Sequence, residues 1–266
     1  MDESAVKGSQ GVVYYAVGQR FVEEAELSAR RLKAHIPELL SAIYCNETVS
    51  ESLFDLHFEV DRDMSVKQLK PQVLCRSPFE KTLFLDTDTY IADSVWEIFD
   101  MLERFDLAAA VTPYWWVNLG QPRGETFDHG IPISFPKLNS GVIAYRKTPD
   151  TERLFADWED LHVKWGGGQD QPSFRATIYG SNIRFAVLPP AYNFRLPWPN
   201  GIKGGIKIFH GRDPDLPGLC KWLNSTEEWR LIAPKKYRHT AMYYPRLECR
   251  TISLKLRKRL LKFFCK

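Results

Sequence analysis

Two closely spaced carboxylates follow a short apolar segment in the middle of the chain. Residues 82–85 (TLFL) favour a buried strand, and they lead directly into Asp86, Thr87 and Asp88. In α/β sheets, ligands bind beyond the carboxyl ends of such strands. Two carboxylates separated by one residue repel each other unless a cation lies between them, and oxygen ligands of this kind suit Mg²⁺ or Mn²⁺ with phosphate completing the shell. The pattern therefore predicts a divalent metal site that engages a phosphorylated ligand.

Two other interpretations of this segment stay open. A strand end followed by an Asp-rich turn or helix cap would need no metal at all. The phosphatase pattern hhhhDxDx[TV], in which the first Asp is phosphorylated, is the chemical rival, but its last position is Tyr90 here. That mismatch disfavours the phosphatase.

The elements that must position these carboxylates alternate between strand-like and helix-like patterns, which predicts the α/β class. The predicted strands are residues 11–16, 42–44, 82–85, 107–111, 142–145 and 206–209. The predicted helices are residues 25–36, 66–77, 94–104 and 151–163. No linker divides the chain, so we expect one domain over residues 1–249, followed by a tail over residues 250–266.

Further polar residues occur in a fixed order around the acidic pair. Lys70 precedes it on a helical segment, Asn139-Ser140-Gly141 follows a long loop, Asp170-Gln171 follows a glycine run, and His210 ends the last clear strand. This ordered set, over residues 11–212, resembles the family 8 type of retaining glycosyltransferases, the glycogenin and lipopolysaccharide galactosyltransferase group. The resemblance implies a GT-A fold, a Rossmann-like single domain with a mixed central sheet flanked by helices.

The resemblance also implies roles for individual residues. Asp86, Asp88 and His210 would be the protein ligands of Mn²⁺ or Mg²⁺, and Asp170 and Gln171 would act beside the donor sugar and its anomeric carbon. The remaining implied contacts are with the nucleotide-sugar: Ala16, Val17 and Gly18 as a backbone cradle for the nucleoside, Phe21 stacking on uracil, Thr87 near the ribose, Lys70 at the sugar or diphosphate, and Asn139 and Ser140 at the sugar.

One departure from the family pattern concerns the diphosphate. The family often continues HxxGxxKPW, in which the Lys grips the diphosphate, whereas this chain continues from His210 as Gly211-Arg212-Asp213 without that Lys. Arg212 is expected to supply the charge from a different position, since its guanidinium can hold phosphate through two hydrogen bonds.

Each of these residues also has a purely structural explanation. His210 could be a hydrogen-bonded histidine at a strand end, and Lys70 a solvated helix lysine. Asn139 and Ser140 could simply form a turn. Asp170 could cap the helix that follows it, a role compatible with catalysis.

Composition and charge restrict location and partners. The chain has 266 residues, five cysteines without CxxC spacing, and no stretch of 18 apolar residues. We therefore expect a cytoplasmic protein without disulfides or a membrane span.

The net charge is +3, but residues 250–266 carry seven basic residues and no acidic one, which leaves residues 1–249 at −4. This tail would form a basic amphipathic helix, suited either to an anionic membrane surface or to packing on the body.

These observations, with what the family resemblance implies, predict a metal-dependent glycosyltransferase that moves a hexose from a UDP-sugar to an acceptor hydroxyl; retention of configuration is implied by the resemblance. The acceptor would be a glycan, glycolipid or protein, near a membrane if the tail binds one, and no nucleic acid is expected as a partner. Two alternatives are a nucleotidyltransferase that makes sugar nucleotides on a similar fold and a non-catalytic membrane-associated binding protein.

Overall fold

A computed structural model describes residues 9–50, 52–60, 66–112, 130–132 and 134–232. The strands are β1 (Gln10–Ala16), β2 (Leu40–Cys45), β3 (Leu56–Glu59), β4 (Lys81–Leu85), β5 (Thr89–Ile91), β6 (Leu107–Val111), β7 (Leu138–Arg146), β8 (Phe185–Leu188), β9 (Phe194–Arg195), β10 (Asn200–Ile202), β11 (Ile208–His210) and β12 (Arg230–Ile232). The helices are α1 (Gln19–His35), α2 (Val66–Cys75), α3 (Ile98–Met101), α4 (Pro149–Lys164), α5 (Asp170–Gly180) and α6 (Leu216–Leu223).

Seven strands form the central sheet, in the order β3-β2-β1-β4-β7-β6-β8. β1 is parallel to β2 and β4, whereas β7 is antiparallel to both β4 and β6. The reversal at β7 makes the sheet mixed. The predicted class, a mixed central sheet flanked by helices, is therefore confirmed.

Helices cover both faces of this sheet, because nearly every residue of its central strands is buried and neither face is left to solvent. On one face α1 packs its buried side chains, among them Ala25, Ala29 and Leu32. On the other face α2, α4 and α5 enclose a second cluster that contains the fully buried Trp158 and Phe174. The carboxyl ends of β1 and β4 therefore emerge between two packed helical layers.

A small three-stranded sheet, in the order β5-β11-β9, lies at that end of the fold. β5 begins one residue after Asp88 and pairs antiparallel with β11, so that Thr89 lies opposite His210. On its other side β11 pairs in parallel with β9, which places Arg195 opposite His210. This sheet brings together residues that are more than a hundred positions apart in the chain.

The helix predicted over residues 94–104 is wrong in extent, because the regular helix covers Ile98–Met101. Polar side chains before it bind backbone amides instead: Asp93 Oδ1 accepts from Ser94 N, and Ser94 Oγ accepts from Trp96 N. Such local bonds compete with helical ones. The strand predicted over residues 206–209 is shifted and ends at His210.

Within the described residues, no helix combines the length and the apolar character that a bilayer span requires. The predicted boundary between residues 249 and 250, and the basic tail over residues 250–266, lie outside the described residues.

Candidate metal centre and the pocket around it

The two carboxylates lie in a tight turn between β4 and β5. Asp86 N donates to Gly141 O at 2.8 Å, and the Asp86 carbonyl accepts from Thr89 N at 3.2 Å and from Thr89 Oγ1 at 2.8 Å. These bonds fix the backbone of the turn against β7. The positions of Asp86 and Asp88 are thus set by the sheet and not by a mobile loop.

His210 completes a three-residue cluster with these carboxylates. Its Nε2 atom lies 3.3 Å from Asp88 Oδ1 and 3.6 Å from Asp86 Oδ2, and the ring is almost completely buried. The three ligand atoms lie within 4.8 Å of one another, close enough to share one ion. Two carboxylate oxygens and one imidazole nitrogen suit a divalent cation and leave coordination positions for substrate oxygens.

Gly141 gives the cluster the space that it needs. A Cβ atom at this position would overlap His210 Cε1 and Asp86 Oδ2, so no larger residue fits without moving a candidate ligand. The turn interpretation of Asn139-Ser140-Gly141 is wrong, because these residues lie within β7, and the part that Gly141 plays was missed. A glycine inside a strand often marks a close approach, but this signal was hidden because the sequence predicted that the strand begins at Val142.

The electrostatic surroundings keep the cluster in a metal-binding state. Burial and the nearby charge of Arg195 lower the pKa of His210, which favours the neutral ring. Burial alone would raise the pKa of Asp88, but the hydrogen bond and charge of His210, followed by the charges of Arg212 and Arg195, outweigh it and hold that pKa well below its usual range. Asp88 is thus anionic, as a carboxylate ligand of a metal must be.

Lys70 lies buried between two carboxylates. Its Nζ atom is 2.8 Å from Asp86 Oδ1 and 3.0 Å from Asp170 Oδ2, and it also donates to Ser140 O at 3.3 Å. Burial lowers the pKa of Lys70, but the charges of Asp170 and Asp86 more than compensate, so its pKa is raised. The solvated-lysine explanation is therefore wrong: Lys70 is a permanent positive charge beside the cluster.

Asp170 belongs to the same network. Its Oδ2 atom accepts from Ser140 Oγ at 2.9 Å, and it is the first residue of α5. The N-cap is Gln169, so the cap predicted at Asp170 is displaced by one residue, and the Asp170 carboxylate binds Lys70 and Ser140 instead of capping. Gln171 follows in the first turn of α5 and is partly exposed.

The predicted nucleoside cradle lies where β1 turns into α1. Ala16 is buried at the end of β1, Val17 follows it, and Gly18 has a positive φ of 94° that a glycine tolerates best. The Gly18 amide donates to Asn46 Oδ1 at 2.7 Å, so this amide already has a partner. Phe21 lies in the first turn of α1, and its ring is 5.8 Å from the Arg212 guanidinium carbon.

Arg212 extends from the loop after β11 across to α1. Its Nε and Nη2 atoms bind the two oxygens of Glu24 at 2.5 and 2.7 Å, and its Nη1 atom is 3.3 Å from Asp88 Oδ2. Glu24 also accepts from Thr87 Oγ1 at 3.1 Å. These residues line a 460 Å³ pocket that borders the metal cluster. Glu24 was not predicted from the sequence. It lies next to other acidic residues on a helix, and such residues usually belong to a solvent-exposed helix face.

The structure thus brings most of the predicted site into one connected network: Lys70, Asp86, Thr87, Asp88, Asn139, Ser140, Asp170, His210 and Arg212. Among the other predicted residues, Phe21 packs against Arg212. The described structure shows no hydrogen bond that joins Ala16, Val17, Gly18 or Gln171 to this network.

Comparison with known proteins shows which fold this chain shares. No family model matches the chain, and no curated protein sequence matches it. Among solved structures, the galactosyltransferase LgtC in complex with donor and acceptor sugar analogs superposes with a TM-score of 0.53 at 14% identity, covering 86% of this chain and 99% of LgtC.

Two further glycosyltransferases superpose comparably. The bifunctional WbbM matches with a TM-score of 0.53 at 17% identity, and GlyE of Streptococcus pneumoniae TIGR4 with 0.51 at 15%. They cover 72% and 79% of this chain, which in turn spans 40% of the WbbM chain and 56% of the GlyE chain. The resemblance noted in the sequence is thereby confirmed at the level of the fold: this chain shares the GT-A fold of these solved glycosyltransferases.

Proposed function

We propose that this protein is a metal-dependent retaining glycosyltransferase that moves a hexose from a UDP-sugar to an acceptor hydroxyl. The observation that supports it best is the grouping of Asp86, Asp88 and His210 around one point at the carboxyl end of β4. In a chain with this fold, that is where a nucleotide ligand binds. The LgtC structure of the same fold carries donor and acceptor sugar analogs, which fits this proposal.

The chemical problem in this reaction is the charge that develops on the departing diphosphate. A divalent cation, Mn²⁺ or Mg²⁺, held by Asp86, Asp88 and His210 would supply Lewis-acid stabilisation of that charge. The described site fits such an ion, because its three candidate ligands converge and Gly141 leaves the space between them open.

Lys70 and Arg212 add positive charge on two sides of the cluster. Lys70 is buried and fixed by two carboxylates and a carbonyl, so it needs no reorganisation when charge develops. Arg212 is oriented by Glu24 with Nη1 at the edge of the cluster. We propose that Arg212 binds the diphosphate in place of the lysine that the family pattern would supply.

The donor sugar would lie beside Asn139, Ser140, Asp170 and Gln171. Asp170 stays ionised, since Lys70 and Ser140 outweigh the effect of burial and lower its pKa. A fixed carboxylate of this kind supports the positive character of the anomeric carbon. Retention of configuration requires no strong general base in the protein, because the departing phosphate oxygen can take the proton of the acceptor hydroxyl.

Acceptor and location are also part of the proposal. The basic segment over residues 250–266 would hold the protein at an anionic membrane surface on the cytoplasmic side, near a glycan, glycolipid or protein acceptor. Each basic residue near such a surface contributes about 1 kcal/mol, so seven of them suffice without insertion.

A panel of nucleotide sugars tests the proposal. With Mn²⁺ present and no acceptor, we expect one UDP-sugar to bind and to be slowly hydrolysed to UDP. Asp88→Ala should abolish this metal-dependent release, whereas Asp157→Ala, at an exposed position of α4, should leave it unchanged. Release that persists in Asp88→Ala would refute the site.

The same panel, extended by a nucleoside triphosphate together with a sugar phosphate, separates the alternatives. A nucleotidyltransferase would release pyrophosphate from a nucleoside triphosphate and a sugar phosphate, and a non-catalytic binding protein would bind the donor without releasing UDP. Failure of every nucleotide sugar to bind would contradict the proposal as a whole.

A further inference from the structure

We infer that Asn193 is a positioning residue that fixes the His210 ring with Nδ1 protonated and Nε2 directed at the metal. This inference rests on the proposed metal site. Asn193 lies between a turn of 3-10 helix at Pro190–Tyr192 and β9, where the sequence indicates no function. The inference follows from a chain of hydrogen bonds that begins at a backbone amide.

The backbone amide of Gly141 is the starting point, because an N–H group can only donate. It donates to the side chain of Asn139 at 3.0 Å, so the atom facing it must be the Asn139 oxygen. The Asn193 side chain meets that same oxygen at 2.7 Å and must present its NH₂ group there. The orientation of both amides is thereby determined.

The other end of the Asn193 amide, its Oδ1 atom, lies 2.8 Å from His210 Nδ1. Since an amide oxygen accepts and never donates, Nδ1 must carry a proton. The opposite nitrogen, Nε2, lies 3.3 Å from Asp88 Oδ1 and 3.6 Å from Asp86 Oδ2. The lone pair that would bind the ion therefore belongs to Nε2, as a metal-binding histidine requires.

Arg195 does not compete for Nδ1, although it is close. Its Nη1 atom is 3.2 Å from Nδ1 and 3.1 Å from Nε2. A position in the ring plane at those two distances would collide with Cε1, which lies between the nitrogens. The guanidinium therefore packs over the face of the ring and leaves both in-plane positions to Asn193 and the metal cluster.

Because the three side chains are buried, loss of one hydrogen bond among them should affect metal binding strongly. Asn193, Asn139 and His210 are each at most 3% exposed, so water does not replace a lost partner easily. Partners of this kind typically change metal affinity by about 10- to 100-fold when they are mutated. Asn193→Leu should weaken Mn²⁺ binding by that factor.

Two variants serve as comparisons. Asn193→Asp keeps an oxygen facing Nδ1 and loses the donor to Asn139, so it should keep the wild-type Mn²⁺ affinity within about threefold even if its thermal stability falls. Asn224→Leu is the matched control, since Asn224 makes two hydrogen bonds to the Ile206 backbone away from the cluster. It should lose stability without losing affinity for Mn²⁺.

The tautomer itself can be observed in the unmodified protein. Long-range ¹⁵N–¹H correlation spectra of His210 should show a protonated Nδ1 both without metal and with saturating Mg²⁺, whatever the state of Nε2. An unprotonated Nδ1 would overturn the inference, as would Asn193→Leu with wild-type Mn²⁺ affinity. Absence of Mn²⁺ binding in the wild-type protein would instead refute the proposed metal site.

Discussion

The ammonium group of Lys70 shows how much a single residue contributes to this site. It lies within 3.0 Å of Asp86 and Asp170, and it is buried. Removing one partner from a buried charge network typically costs about 3–5 kcal/mol, because the other charges stay desolvated. A group held rigidly beside a reacting diphosphate also typically contributes about 100-fold or more to the rate.

We expect Lys70→Met to lower the free energy of unfolding by about 3 kcal/mol and UDP release by about 100-fold or more. The reason is that Asp170, whose pKa Lys70 lowers, would face Asp86 without a cation between them. Urea denaturation and the kcat of UDP-sugar hydrolysis measure the two effects. A variant with wild-type stability and kcat would contradict this role.

Gly141 allows a second test at the same scale. Gly141→Ala adds a methyl group that would overlap His210 and Asp86, so we expect Mn²⁺ affinity to fall by at least about tenfold. Gly205→Ala is the control, because a Cβ there meets open space. Titration calorimetry with Mn²⁺ compares them, and equal affinities would show that the site tolerates the methyl group.

At the scale of elements, one carboxylate connects three strands at the end of the sheet opposite the candidate metal centre. Asp106 precedes β6 and binds Arg146 at the end of β7 and Arg184 before β8, with distances of 2.5–3.1 Å. Its hydrogen bond with Arg184 contributes most to lowering its pKa, which lies well below the usual range despite burial. One carboxylate thus ties three strands of the sheet edge together.

Because of these Asp106 ion pairs, the free energy of unfolding should decrease as the pH falls. A carboxyl whose pKa is lowered by folding stabilises the protein above its unfolded pKa of about 4, and the contribution is lost as the pH falls below that value. Asp106→Asn should therefore cost about 2 kcal/mol near pH 7, with a smaller difference from wild type near pH 3. Urea denaturation across this range tests it, with Asp157→Asn as an exposed control.

The elements also explain what the sequence could and could not predict. The apolar segment before Asp86 was informative, because a strand end and a carboxylate pair are both local patterns. Asn193 and Glu24 had no local pattern, since their partners His210 and Arg212 reach them through pairing of β9 with β11 and packing of α1. His210 itself was found through a resemblance, because no spacing rule connects it with Asp88 across β5 and β11.

For the molecule as a whole, charge is unevenly distributed. Residues 250–266 carry +7, while the rest of the chain carries −4. We expect a variant that lacks residues 250–266 to lose binding to vesicles containing anionic lipid while keeping UDP-sugar hydrolysis in solution. Vesicle co-sedimentation at two salt concentrations measures the first effect, since binding of this kind weakens with salt.

Co-sedimentation of the shortened chain equal to that of the full chain would assign membrane binding to another surface. Loss of hydrolysis in the shortened chain would show that the tail contributes to the catalytic body.

The central claim is that one divalent ion joins the Asp86, Asp88 and His210 cluster to the diphosphate of a nucleotide. The most direct measurement is the affinity for UDP with and without Mn²⁺, by calorimetry, in the wild-type protein and in Asp88→Ala. The claim predicts that Mn²⁺ strengthens UDP binding by at least about tenfold in the wild-type protein, and that this coupling disappears in Asp88→Ala. UDP binding that is equally strong without Mn²⁺, or coupling that survives in Asp88→Ala, would contradict it.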